Sequence, residues 1–103
     1  MRRAEVFMQE MPAGILEEFE KGGPYRFSYS KNYSGLPISL TMPVEKKEFF
    51  FHDFPPFFDG LLPEGIMLKG FLKQQNIDQY DYFSQLVAVG INRIGAVSVR
   101  EIK

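Results

Sequence analysis

The chain has no cysteine, no tryptophan and a single histidine, His52. Without cysteine there is no disulfide framework, no thiolate metal site and no cysteine nucleophile. One imidazole cannot by itself build a histidine-rich zinc site. No apolar run comes near the ~18 residues of a membrane-spanning helix, and residues 1–5 lead into a strand pattern, not a signal-peptide core. Net charge is also lacking, at −1. That argues against a nucleic-acid binder that works through its overall field. A cytoplasmic protein is expected.

What is present is aromatic. The 103 residues are enough for one domain with one core, and they include 11 Phe and 5 Tyr. Rings of this size bury large areas, so they should fill the core, with enough left over for an exposed patch.

Strand periodicity dominates the first half. Residues 4–8 alternate, residues 9–12 turn, and residues 13–20 continue with Ile15, Leu16 and Phe19 as anchors. The Lys21-Gly22-Gly23-Pro24 turn precedes a clean alternation at residues 25–30, with Tyr25, Phe27 and Tyr29 on one face. Residues 38–42 alternate again, with Ile38, Leu40 and Met42 together, and Glu48–Phe51 is a short extended piece. Helical spacing takes over from Pro55: Phe54, Phe57, Phe58, Leu61 and Leu62 form one stripe, broken at Gly60. A second helix is expected from Pro63 to about Gln75, facing inward through Met67, Phe71 and Leu72, with Gly70 packed close and Asn76 at its end. Asp78 or Asp81 caps a third over residues 82–89, with Phe83, Leu86 and Val87 buried and Gly90 as the stop. Residues 93–102 close the chain as a strand apolar on both faces, which suits a sheet interior. The fold expected is α+β: an antiparallel sheet of about five strands with about three helices on one face, residues 1–103 forming a single domain.

Catalytic chemistry finds little footing. His52 and Asp53 are neighbours on an extended segment, where side chains point to opposite faces, so Asp53 should not orient the imidazole. Glu17 with Glu18 reads as a solvated strand edge, and Asp78 with Asp81 as a helix start. No phosphate-cradling loop has the required glycine spacing, and no kinase catalytic element is present. Neither metal nor cofactor is implied. Lys46-Lys47 ahead of Phe49-Phe50-Phe51 mixes basic and aromatic residues like a single-strand nucleic-acid platform, but contiguous rings favour core packing. A protein contact at Leu62, Pro63, Glu64, Gly65, Ile66 and Met67 fits better, because an apolar residue at a helix start makes a good anchor. The alternatives are the Phe49–Phe51 segment and a solvent-facing sheet surface of Tyr25, Phe27 and Tyr29.

Two stretches carry a family resemblance: Phe57-Phe58-Asp59-Gly60-Leu61-Leu62-Pro63-Glu64-Gly65, and Gly90-Ile91-Asn92-Arg93-Ile94-Gly95-Ala96-Val97. Together they resemble the small N-terminal subdomain of HipA-type serine/threonine kinases. The motif residues Phe58, Asp59, Leu61, Gly90, Gly95 and Ala96 carry it, and the resemblance implies that they are structural. It also implies a free-standing module like the HipS-type antitoxins of three-component HipBST toxin–antitoxin systems. The implied partners are a HipT-like kinase toxin and, in the same complex, a HipB-like helix-turn-helix DNA-binding protein. Direct contact with nucleic acid or membrane is not implied. A non-catalytic N-terminal fragment of a HipA-type kinase is the other form the resemblance allows.

Overall fold

Alternating apolar residues build the sheet from the N-terminus onward. The structure, a computed structural model, describes residues 1–62, 65–90 and 96–102, with only the backbone at residues 65, 66 and 90. Strand β1 (Arg2–Met8) turns back into β2 (Met11–Glu18), which turns back into β3 (Tyr25–Tyr29). The first turn is only Gln9-Glu10, both at positive φ, as a tight two-residue hairpin requires. Strand β4 (Glu48–Phe51) pairs with β3, and the last strand, β5 (Val97–Ile102), returns to pair with β1. The order is β4-β3-β2-β1-β5, antiparallel throughout. Thus β5 is an outer strand, not the interior one expected from its two apolar faces. Its inward Val97 and Val99 are buried, whereas Arg100 is exposed.

Register sorts the side chains. Ala4, Leu16, Phe27 and Phe49 stand in one cross-strand row on the covered face. A bulge after Val6 skips Ala13, so Ala13 and Gly14 are both buried. Gly14 has no room for more: an added Cβ would lie 2.9 Å from Phe27 Cζ and closer still to the Ser28 carbonyl oxygen. Helices α1 (Pro56–Asp59), α2 (Gly65–Gln75) and α3 (Tyr82–Gly90) follow the first four strands. Phe27 meets Tyr29 edge-on at 4.9 Å and Phe58 at 5.9 Å. Phe27 and Phe58 are fully buried, each stabilising the fold by roughly 1.5–3 kcal/mol relative to exposure. Tyr25, Phe27 and Tyr29 therefore lie on the covered face, which corrects their placement on a solvent-facing one. Helices on that side bury the largest rings.

Residues 38–42 form no strand. Met42 N–H donates to the Ser39 carbonyl at 3.0 Å, closing a turn between Pro37 and Pro43. The Tyr29 hydroxyl holds this turn down, donating to the Met42 carbonyl and accepting from Ile38 N–H. Ile38 and Met42 are buried as a result, while Leu40 between them is 96% exposed.

Candidate functional site

The helix-start stretch emerges from the aromatic stripe. Pro56 opens α1, where its missing N–H would have no helical partner. Phe58 is buried, and Phe54, Phe57, Leu61 and Leu62 pack against the core around it. Asp59 ends α1 at the surface, and its carbonyl accepts from Leu62 N–H at 3.1 Å. The break expected at Gly60 is there. Of the six residues expected at the contact, Leu62 is a half-buried core neighbour. Pro63 and Glu64 lie outside the described residues, as do the side chains of Gly65 and Ile66. Met67 is the one seen in the open, 77% exposed. Its expected inward direction is thereby corrected.

Helix α2 is lightly seated. Among its described side chains only Leu72 is buried, with Leu68 and Phe71 half-buried. Gly70 is exposed, and a Cβ there would meet nothing within 4 Å, so it marks no close packing. Asn76, at positive φ, ends the helix as expected. Of the other motif positions, Gly90 ends α3, Gly95 lies outside the described residues, and Ala96 is exposed. The Ala96 carbonyl accepts from Gln9 N–H at 2.7 Å, tying the approach to β5 to the first hairpin.

A polar cluster that the sequence did not announce fastens α3 to the sheet. Arg2, Glu18 and Tyr25 occupy one cross-strand row at one end of the covered face. Arg2 Nε donates to Glu18 Oε1 at 2.7 Å, and Nη2 donates to Asp81 Oδ1 at 2.8 Å. Its Nη1 donates to Ser84 Oγ at 2.9 Å, and the guanidinium lies 4.8 Å from the Phe83 ring centre. Glu18 also accepts from the Tyr25 hydroxyl and from Gly22 N–H, both at 3.2 Å. It is only 2% exposed, on a strand between β1 and β3. The reading of Glu17 and Glu18 as a solvated edge therefore fails. Asp81 caps α3, accepting from Ser84 N–H at 3.2 Å and from Ser84 Oγ at 2.7 Å. Burial pushes the Asp81 carboxyl up, but hydrogen bonds from Arg2 and Ser84 outweigh it and hold the group below the usual carboxylate range. Burial, with the Glu18 charge beside it, raises the Tyr25 phenol. Buried Gln85 donates to the carbonyls of Asp78 (3.2 Å) and Gln79 (3.0 Å). Signals existed only in part: the Asp81-to-Ser84 spacing suits a cap, but nothing local pairs Arg2 with residues 16 and 79 positions away.

His52 and Asp53 stand in the open. His52 Nδ1 lies 3.2 Å from Asp53 Oδ1, so the two do meet, because the chain bends there. Their side chains are 95% and 93% exposed, which leaves no sheltered place for a reacting group. Among the described residues no group of three His, Asp or Glu is placed to hold a metal ion. No helix among them is long and apolar enough to cross a membrane. Phe49 is core, with Lys46 Nζ 5.2 Å from its ring centre, while Phe50 faces solvent.

A family model described as the HipA N-terminal domain matches residues 4–100. An uncharacterized protein of Haemophilus influenzae is 36% identical over 103 residues, covering 100% of this chain and 95% of its own length. Among solved structures, one described as the N-terminal domain of HipA toxin is similar at a TM-score of 0.78 and 31% identity. It is matched over 100% of this chain and 94% of its own.

Proposed function

From the premise that the chain belongs to the HipA N-terminal domain family, we propose that it is a HipS-type antitoxin. It binds a HipA-like serine/threonine kinase toxin, of the HipT kind, and suppresses it by protein–protein contact near the kinase active site. These 103 residues hold the non-catalytic N-terminal domain and no kinase domain. The observation that carries the reading is the length of the Haemophilus relative, 95% of which this module accounts for. A module of this size with no reaction of its own acts through what it touches. In this reading the complex forms in the cytoplasm and includes a HipB-like DNA-binding protein, so the chain itself needs no contact with nucleic acid.

The contact surface proposed is residues 62–67, which include the first residues of α2. Exposed Met67 on a lightly seated helix supports it, since a protruding unbranched side chain fits an apolar partner pocket with little preorganised shape. Co-expression with a HipT-like kinase tests it. Met67→Asp should release kinase toxicity and abolish co-purification, because a carboxylate forced into an apolar pocket loses its hydration. The free protein should keep its melting temperature, since a carboxylate near a helix start is harmless or mildly favourable. Ile66→Asp is the companion variant. If both variants still co-purify and suppress, the contact lies elsewhere; if the wild-type chain never binds or suppresses the kinase, the antitoxin reading falls.

A further inference from the structure

A hollow between β4, α1 and the turn at residues 38–42 is walled by rings and carries a single charge. Val44–Lys46 makes one 3-10 turn, and Lys47, at φ 70°, swings the chain from it into β4. The turn sorts the charges to its two sides. Glu45 and Lys47 line one surface hollow with Tyr33 and Pro43. Lys46 goes the other way, its Nζ 5.2 Å from the Phe49 ring centre, and lines a pocket of about 340 Å3. Glu48, the first residue of β4, has its carboxylate 3.7 Å from Arg26 and does not line that pocket.

Met42, Phe49, Phe51 and Phe57 form the walls, with Thr41 at the rim. The core braces them. The Tyr29 hydroxyl donates to the Met42 carbonyl, Phe49 stands edge-on to Tyr29 at 6.1 Å, and Phe57 stands edge-on to Phe58 at 5.1 Å. A hollow held in this way exists before anything enters it, so a ligand is spared the cost of ordering its site. The volume lies at the lower end of the ~300–1,000 Å3 usual for small-molecule sites, room for about two fused rings with a small substituent. No carboxylate lines it, and Lys46 takes no part in an ion pair among the described residues. Ring walls favour a ring, stacked offset or edge-to-face, and the unpaired ammonium at their margin favours an anion.

We propose that this pocket binds a small aromatic carboxylate, its rings among Phe49, Phe51 and Phe57 and its carboxylate on Lys46 Nζ. The walls supply affinity for any ring of that size; Lys46 supplies the preference for an anion. The pocket shares no residue with the 62–67 surface, and the proposal stands without the kinase partner. The probes are naphthoate and its neutral isostere naphthamide, titrated into the whole isotope-labelled chain and followed by amide chemical shifts. Naphthoate should bind with a dissociation constant of about 1 mM or tighter, shifting the amides of Met42, Lys46, Phe49 and Phe57. Naphthamide should bind about 5-fold more weakly, the worth of one partly exposed ion pair. Lys46→Gln should weaken naphthoate by about that factor and leave naphthamide unmoved, a difference that a purely structural role for Lys46 would not produce. Phe57→Ala takes away a wall and should weaken both probes about 10-fold or more. Circular dichroism checks that each variant folds; if Phe57→Ala does not, the Lys46→Gln comparison decides alone. No shift at millimolar naphthoate overturns the proposal, as do shifts confined to other surfaces or a Lys46→Gln variant that loses both probes equally or neither. A pocket that naphthoate leaves untouched and a protein partner protects belongs to a peptide side chain, and equally overturns it.

Discussion

Helices α2 and α3 are 11 and 9 residues long, and they stand in opposite relations to the sheet. α3 lies on β5 and touches α1, burying Phe83, Gln85 and Leu86 while Arg2 grips its capped end. Among its described side chains α2 buries Leu72 and leaves Gly70 and Met67 in solvent. The difference separates two tasks. A helix bound by core rings and a charged clamp fixes the shape of the domain. A helix with a spare surface can serve a partner at little cost to folding, because low local stability and exposed side chains go together.

Substitutions should divide along the same line. Phe83→Ala on α3 should cost about 3–5 kcal/mol, the loss for truncating a buried ring. Urea titration reads it as an earlier midpoint at unchanged slope. A comparable loss from a described α2 side chain other than Leu72 would erase the contrast. Arg2→Ala should follow at about 2–3 kcal/mol, because Glu18 would remain buried with a charged partner gone. Arg2→Lys should recover only part of it, since an ammonium cannot span Glu18, Asp81 and Ser84 as the guanidinium fork does.

Acid should loosen the α3 clamp next. The folded Asp81 carboxyl titrates below its ordinary value, so its contribution is present above that value and is lost as pH falls below about 4 through the folded one. The drop in melting temperature over that window should shrink in Asp81→Asn, which begins less stable at neutral pH. Equal acid sensitivity in wild type and variant would remove Asp81 from the clamp. Gly70→Ala should have the smallest effect and the opposite sign. With open space around the new methyl group, α2 should gain up to about 1 kcal/mol of helix propensity. A loss there would mean that α2 is seated more closely than its exposed residues indicate.

Legibility in the sequence follows the range of the interaction. Strands β1 to β4, the break at Gly60 and the end of α2 at Asn76 are written in local periods and turn residues, and the structure has them. The misplacements come from forces that act between distant residues. Residues 38–42 alternate as a strand does, but the Tyr29 hydroxyl and two flanking prolines hold them as a turn and turn Leu40 outward. Met67 has the spacing of an inward residue, yet helix orientation is set by docking, and among the described side chains of α2 the buried one is Leu72.

By itself the sequence determined the α+β class, the aromatic core and the motif residues that carry the family, because backbone preference and side-chain period act over a few positions. It also excluded thiol chemistry by composition alone. The tertiary structure alone decided which face of Tyr25, Phe27 and Tyr29 is covered, which strands are outermost, and that Glu18 is a buried anion. Those outcomes depend on which elements meet, and Arg2 reaches Glu18 and Asp81 only after the sheet has paired and α3 has closed over its end. A chain pattern encodes what each segment can do alone; burial and charge pairing belong to the contacts made once the segments assemble.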